Sequence, residues 1–333
     1  MLIPPKYLLT PEISSLLQSI EACKEVINSL NTPPEIELNI RRKSTLKSSL
    51  FSARIEGNTL TLSDLPKTQT KDQRTTEVFN ILKALNWVFE KKKTKITTKN
   101  ILRLHQMVMT NLSPKHDLGR FRTEAGAIFN SAGIAIYIPS RPSQIKDLIN
   151  ELIEFCNSPR EQFIPVKAAL AHYIFEKIHP FLDGNGRVGR LLLQLILQKD
   201  GFGMKGILPL EAYLDNHRSE YYSVLESSER DTTEYIEFIL EAIAEAASET
   251  KEQLMQKDKV DASDLLLPRR AEILNIIREQ KIVNFDTIHR RFLKVNPRTL
   301  RFDIKKLLDL GLIRKRGTTK GVYYEALQTS FPT

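Results

Sequence analysis

The sequence predicts a mainly α-helical chain with one small β-hairpin near its middle and an α+β segment at its C-terminus. Three observations carry this prediction. Apolar residues recur at helical spacing, as in Val78, Ile81, Leu82, Leu85 and Val88. Strand patterns bounded by turn residues stand at 118–139 and at 312–325. Charge also divides the chain: residues 265–333 hold fifteen Lys or Arg against six Asp or Glu, an excess of nine that equals the +9 of the whole chain. Residues 1–264 therefore sum to zero.

The N-terminal third reads as helices over Thr10–Leu30, Pro34–Glu56 and Lys71–Lys91, after an extended lead begun by Pro4 and Pro5 that is expected to pack on the core. Gly57 stands at the C′ position of the second helix and stops it. Glu56 then lies at the negative end of the helix dipole, where a carboxylate calls for a cationic partner. Arg54 or a neighbouring lysine is the simplest partner. Further on, 166–178 is rich in helix formers and apolar on one face, and Pro180 disfavours helical geometry at His179. The run Leu191–Leu197 is almost entirely apolar, so a helix starting near Gly186 or Arg187 must be a core helix. The loop at 179–186 thus joins two buried helices.

That loop, His179-Pro-Phe-Leu-Asp-Gly-Asn-Gly-Arg-Val-Gly-Arg190, holds the parts needed to move a phosphorus-containing group. Gly184, Asn185 and Gly186 leave backbone N–H groups open to an anion at a helix start. Arg187 and Arg190 share one face of the first turn, where two guanidinium forks can grip successive phosphates. Asp183 offers a hard oxygen ligand for Mg²⁺. His179 is the one loop residue able to take a proton from a hydroxyl near neutral pH. Each piece alone has an ordinary structural explanation; their joint spacing does not.

This stretch resembles the signature of the Fic family, H-x-F-x-D/E-G-N-G-R-x-x-R, at every defined position. The resemblance implies a helical enzyme that transfers AMP from ATP to a Ser, Thr or Tyr hydroxyl of a target protein. His179 would be the general base, Asp183 the ligand of Mg²⁺ or Mn²⁺, Gly184 to Gly186 the anion hole, and Arg187 and Arg190 the phosphate clamps. Phe181 would anchor the loop. Gly186 favours AMP transfer over phosphorylation, because relatives that phosphorylate carry a lysine there. Ser52-Ala-Arg-Ile-Glu56-Gly-Asn58 resembles the family's inhibitory motif, S/T-x-x-x-E-G/N, which implies a Glu56–Arg190 ion pair over the γ-phosphate site.

Two further segments resemble substrate-handling parts of the family. Leu118–Thr123 followed by Gly133–Pro139 reads as the hairpin flap that holds a target by main-chain pairing, with Ile134, Ile136, Tyr137 and Ile138 as candidates. Tyr221 and Tyr222 resemble the aromatic pair bordering the adenosine pocket. Adjacent helical residues face apart, so one of the two at most can stack on adenine. With these assignments the chain divides into an N-terminal helical region at 1–95, a catalytic core at 96–244, a helical connector at 245–264 and a basic domain at 265–333.

In the basic domain, helices are predicted at 269–280, 285–292 (opened by Asn284) and 297–310, followed by strands at 312–317 and 321–325 around a basic turn. Three helices and a hairpin resemble a winged helix. The resemblance implies that the third helix enters the DNA major groove through Arg298, Thr299, Arg301 and Lys305, with Arg314 to Arg316 and Lys320 on the wing. A docking or dimerisation wing is the competing reading.

Composition narrows the remaining classes. Cys23 and Cys156 are the only cysteines, and no signal peptide, bilayer-spanning run, zinc cluster, Walker A sequence or internal repeat is found. A soluble cytoplasmic protein without disulfides or membrane attachment is expected. Besides the autoinhibited transferase, two other classes are consistent with the sequence: a DNA-binding transcriptional regulator using the core as nucleotide sensor, and a homodimeric scaffold with little catalysis.

Overall fold

A computed structural model of the protein describes residues 1–32, 34–62, 64, 72–91, 94–129, 135–255, 266, 268–293, 295–317 and 321–327. They form two compact units, Met1–Leu30 with Arg41–Glu252, and Asn31–Ile40 with Gln253–Thr333.

The first unit is built from helices α1 (Pro11–Ser29), the 41–55 part of α2 (Pro34–Ile55), α3 (Gln73–Phe89) and α4 (Thr98–Met109), then strands β1 (Ile128–Phe129) and β2 (Ala135–Tyr137). Helices α5 (Pro142–Asn157), α6 (Ile164–Ile178), α7 (Asn185–Lys199), α8 (Glu211–Asn216), α9 (Arg218–Leu225) and, as far as Glu252, α10 (Thr233–Met255) follow. Starts are set by caps: the Thr10 hydroxyl accepts from the Ile13 N–H, and Thr97 and Asn100 form a capping box. The lead is tied down where the Lys6 N–H donates to the Glu229 carbonyl and the Lys6 carbonyl accepts from the Thr232 N–H.

Helices α6 and α7 pack on each other, α3 and α4 pack on α7, and α5 packs on α6. Both central helices are buried on nearly all faces, which explains their nearly continuous apolar sequence. They approach this closely because position 189 is glycine: a Cβ there would collide with the Glu176 carboxylate and lie 3.2 Å from the Phe175 ring. Gly189→Ala is therefore expected to destabilise the protein by about 1–3 kcal/mol, read as a lower midpoint in urea unfolding. No described helix is long and apolar enough to cross a membrane.

The second unit contains α11 (Pro268–Gln280), β3 (Ile282–Asn284), α12 (Phe285–Arg291), α13 (Pro297–Asp309), β4 (Ile313–Arg316) and β5 (Tyr323–Ala326). The sheet is antiparallel in the order β3-β5-β4, with Val283 opposite Tyr324 and Ile313 opposite Ala326. Its core gathers Ile273, Leu274, Ile277, Ile288, Leu300, Ile304 and Leu307. Strand β3 was not predicted, since three residues between two helices leave no room for a period-two pattern. Asp303 is 1% exposed and accepts from Arg269 at 2.6 Å and Arg270 at 2.9 Å. Asp303→Ala should cost this unit about 2 kcal/mol, seen as faster amide exchange in α11 and α13.

Candidate active site

The α6–α7 loop is held by main-chain geometry before any ligand is considered. His179 caps α6 in the left-handed conformation (φ 49°, ψ 62°), and its N–H donates to the Phe175 carbonyl at 2.9 Å. Phe181 is buried, with the His105 ring stacked on it at 3.9 Å between centroids. The Asn185 amide donates to the Phe181 carbonyl and accepts from its N–H, at 2.9 and 2.8 Å. Asn185 therefore spends its side chain on fixing Phe181 and can offer an anion only its backbone. Gly184 takes φ +83°, and α7 begins at Asn185, one residue earlier than predicted.

His105 supports the same loop from α4. Its Nδ1 accepts the Gly119 N–H at 2.9 Å, so the proton sits on Nε2 and is donated to the Asp183 carbonyl at 3.1 Å. Burial pushes its pKa down to about 4, which keeps it neutral. Burial likewise holds His179 below the usual 6.5, with the Arg122 cation adding to the effect and the Glu176 carbonyl, Glu56 and Asp183 opposing it. The Nδ1 of His179 is buried without a hydrogen-bond partner among the described residues. Neutral imidazole suits a base.

Asp183 is largely exposed, and its Oδ1 accepts from the Gly184 N–H at 2.5 Å and from Arg187 at 2.7 Å. Oδ2 has no protein partner among the described residues. Arg187 also donates to Glu77 at 2.6 Å, so this buried clamp already touches two carboxylates. Glu77 was not foreseen, since nothing in sequence links it to a residue so distant. Among the described residues, no group of three or more His, Cys, Asp or Glu is placed to hold a metal. A divalent ion fits Asp183 only as the companion of an anionic ligand that completes its shell.

Glu56 lies across the start of α7. Arg190, 1% exposed, donates to Glu56 Oε1 at 2.8 Å, to the Ser52 hydroxyl at 3.0 Å and to the Ser52 carbonyl at 3.0 Å. A Cβ on Gly186 would collide with the same Glu56 oxygen. The carboxylate thus leaves the unfavourable end of α2 for the favourable end of α7, where an anion is stabilised. Burial opposes the charge on Arg190, and Glu56, Tyr221 and Glu176 together outweigh it and raise its pKa. Arg54, the alternative partner of Glu56, pairs instead with Asp215 at 3.1 Å.

Behind Arg190 lies a polar layer. The Tyr221 hydroxyl meets His172 Nε2 at 3.1 Å, and His172 Nδ1 meets the Tyr235 hydroxyl at 2.8 Å. Burial takes His172 down to about 3 and Glu176 up to about 8, so the first is neutral and the second holds its proton at pH 7. The expectation that Tyr221 could border a base is corrected: it is closed into the core. Tyr222 faces outward, and its hydroxyl donates to the Ile55 carbonyl beside Glu56 at 3.1 Å.

The hairpin also differs from expectation. Its arms are β1 and β2, antiparallel with Ile128 opposite Tyr137, and 118–123 is a turn and an extended stretch rather than the first strand. The Gly119 N–H is taken by His105 and the Arg122 N–H by the Pro180 carbonyl at 2.9 Å, which removes both from any strand ladder. Of the four flap candidates, Ile134 and the side chain of Ile136 lie outside the described residues. The Tyr137 hydroxyl donates to the Lys177 carbonyl at 2.9 Å, which ties β2 to the end of α6. Ile138 is 78% exposed.

In the second unit, Arg298, Arg301 and Lys305 are exposed on α13 and Thr299 is half-buried. Arg301 lies 4.5 Å over the Phe285 ring. Arg314 and Arg316 stand exposed on β4, where both pair with Glu325, at 2.8 and 2.6 Å. Lys320 lies outside the described residues.

Residues 95–197 match the model of the Fic/DOC family. The proteins named protein adenylyltransferase Fic from Drosophila erecta and Drosophila melanogaster are each 28% identical over 236 residues, which is 67% of this chain and 45% of theirs. The chain thus spans less than half the length of these relatives. A crystal structure of a Fic family protein from Desulfovibrio desulfuricans G20 aligns over 98% of this chain and 99% of its own, with a TM-score of 0.68 and 23% identity. Fic-1 from C. elegans aligns over 74% of this chain and 75% of its own, with a TM-score of 0.60 and 24% identity. At those identities the two structures speak to the fold.

Proposed function

We propose that the chain, which carries a Fic/DOC domain over residues 95–197, is a protein adenylyltransferase held in check by Glu56. The observation that carries this reading is the Glu56 carboxylate, 2.8 Å from Arg190 and lying on Gly186, where a nucleotide phosphate would otherwise meet both the guanidinium and the start of α7. The carboxylate stands in for phosphate and holds ATP away from a reactive pose.

With Glu56 withdrawn, Arg190 grips the terminal phosphate, Arg187 turns from its carboxylate partners toward the phosphate chain, and the first-turn amides of α7 receive an anionic oxygen. Asp183 would hold the Mg²⁺ or Mn²⁺ that accompanies ATP, and the ion, when bound, would neutralise phosphate charge. His179 takes the proton from a Ser, Thr or Tyr hydroxyl of the target. The hydroxyl oxygen bonds to the α-phosphorus, the bond to the β-phosphate oxygen breaks, and pyrophosphate leaves with the electron pair. Positioning and charge stabilisation provide the acceleration, and no enzyme nucleophile is needed.

Because the base acts neutral, kcat/KM rises with pH through the pKa of His179 in the free enzyme and levels above it. That limb is expected below 6.5, since burial lowers the group. An acid limb above 6.5 in a pH profile of AMP incorporation would contradict the assignment. The direct test of the reaction is incubation of wild type, Glu56→Gly and Glu56→Gly/His179→Ala with α-labelled ATP and Mg²⁺, alone and with cell lysate. Label on protein is expected for the single variant and is expected to vanish in the double.

A second reading concerns α13, whose outer face exposes Arg298, Arg301 and Lys305. Three cations on one helix face suit the phosphates and base edges of duplex DNA. Affinity for duplex should fall with salt and fall further on Arg298→Ala and Arg301→Ala. Binding insensitive to both would assign this face to protein docking.

A further inference from the structure

Arg122 is a buried cation without a counter-ion. It is 5% exposed, and no carboxylate lies within ion-pair distance of it among the described residues. A buried guanidinium must find its compensation in hydrogen bonds. Here every donor assigned to it goes to a backbone carbonyl: Nε to His179 at 2.8 Å, Nη1 to Glu124 at 2.9 Å and Nη2 to Ser140 at 2.5 Å.

The three carbonyls belong to two different parts of the machinery. That of His179 is one of the unpaired groups at the negative end of α6, where a cation is favoured. Those of Glu124 and Ser140 are the two feet of the segment that carries β1 and β2. A planar fork can meet three acceptors in three directions at once, which a lysine ammonium on a flexible stem cannot reproduce. The Arg122 N–H adds a backbone bond to Pro180 at 2.9 Å, and the Tyr137 hydroxyl ties β2 to the last turn of α6 through Lys177 at 2.9 Å. The hairpin and His179 therefore share one frame, and Arg122 is its hub.

We propose that Arg122 is a positioning residue that holds the target-pairing hairpin and the general base in one register, so that a hydroxyl presented by a strand on β2 arrives at His179 rather than beside it. This rests on the transferase reading. Arg122 touches no reacting atom. Its effect passes through the placement of two groups that do.

The test uses the full chain carrying Glu56→Gly, with Arg122→Lys and Arg122→Ala added separately. AMP incorporation from α-labelled ATP is followed against ATP concentration, and amide exchange is followed by mass spectrometry. Loss of register should lower kcat on the order of 100-fold in both variants while the KM for ATP moves by no more than about twofold. Amides at 135–137 and 181–184 should exchange about tenfold faster, with those in the body of α7 unchanged. Unchanged kcat would overturn the proposal, as would full activity in the lysine variant, which would mean that charge and not the fork matters. A rise in exchange spread evenly through α7 would also overturn it, by showing a general loss of fold. If Glu56→Gly alone incorporates no AMP, the transferase reading fails, and the exchange pattern of Arg122→Lys in wild type still decides whether the clamp exists.

Discussion

Glu56→Gly should raise AMP incorporation by about 10- to 100-fold over wild type. The contact removed sets this size: a hydrogen bond from the buried Arg190 guanidinium to a carboxylate contributes about 1.5–3 kcal/mol, and ATP must displace it before its own phosphate can use the same donor. Removing the carboxylate also clears the space above Gly186 at the start of α7. Arg190 keeps its two bonds to Ser52, so the guanidinium stays in place in the variant. Gly at 56 continues the chain into Gly57, which already turns out of the helix at φ +98°, so the change should leave the fold intact. The comparison is made by initial rates at equal Mg·ATP. Equal rates for the two proteins would mean that Glu56 does not compete with nucleotide.

His179→Ala in the Glu56→Gly background should lower that rate by about 10²- to 10⁴-fold, the range for removal of a general base. Nucleotide binding should survive, because the groups assigned to phosphate sit on α7 and none of them depends on the imidazole. Position 179 has positive φ, which costs alanine roughly 1–2 kcal/mol, so a folding control is needed. His179→Asn provides it, since asparagine tolerates that conformation better. Both variants should bind ATP in calorimetry and both should lack transfer. Transfer retained in either would remove His179 from the mechanism.

The parts of this site legible in the sequence are those that lie close together along the chain. The loop at 179–190 could be read because its residues act on one another within a single turn and its two flanking helices announce themselves by apolar runs. Glu56 could be read as a carboxylate in need of a cation because Gly57 ends its helix one residue later. The identity of that cation required the resemblance, since Arg54 stood nearer in sequence. Tyr221 and Tyr222 show the limit of helical spacing, which says that two neighbours diverge but not which one faces the core; the buried His172 decides it. His105, Glu77 and Arg122 gave no usable signal. Each acts through a carbonyl or a carboxylate far away in the chain, and main-chain acceptors leave no trace in a side-chain pattern. The hairpin was misplaced for the same reason, because the amides at Gly119 and Arg122 are claimed by partners outside any strand.

The proposed activity is AMP transfer at this site, withheld by Glu56. The most direct measurement gives Glu56→Gly protein ATP labelled at the α-phosphate and, in parallel, ATP labelled at the γ-phosphate, each with Mg²⁺ and lysate. Label from the α position should appear on protein and depend on His179, while none from the γ position should be retained. Protein labelled from the γ position, or left unlabelled by both, would mean that the site does not transfer AMP.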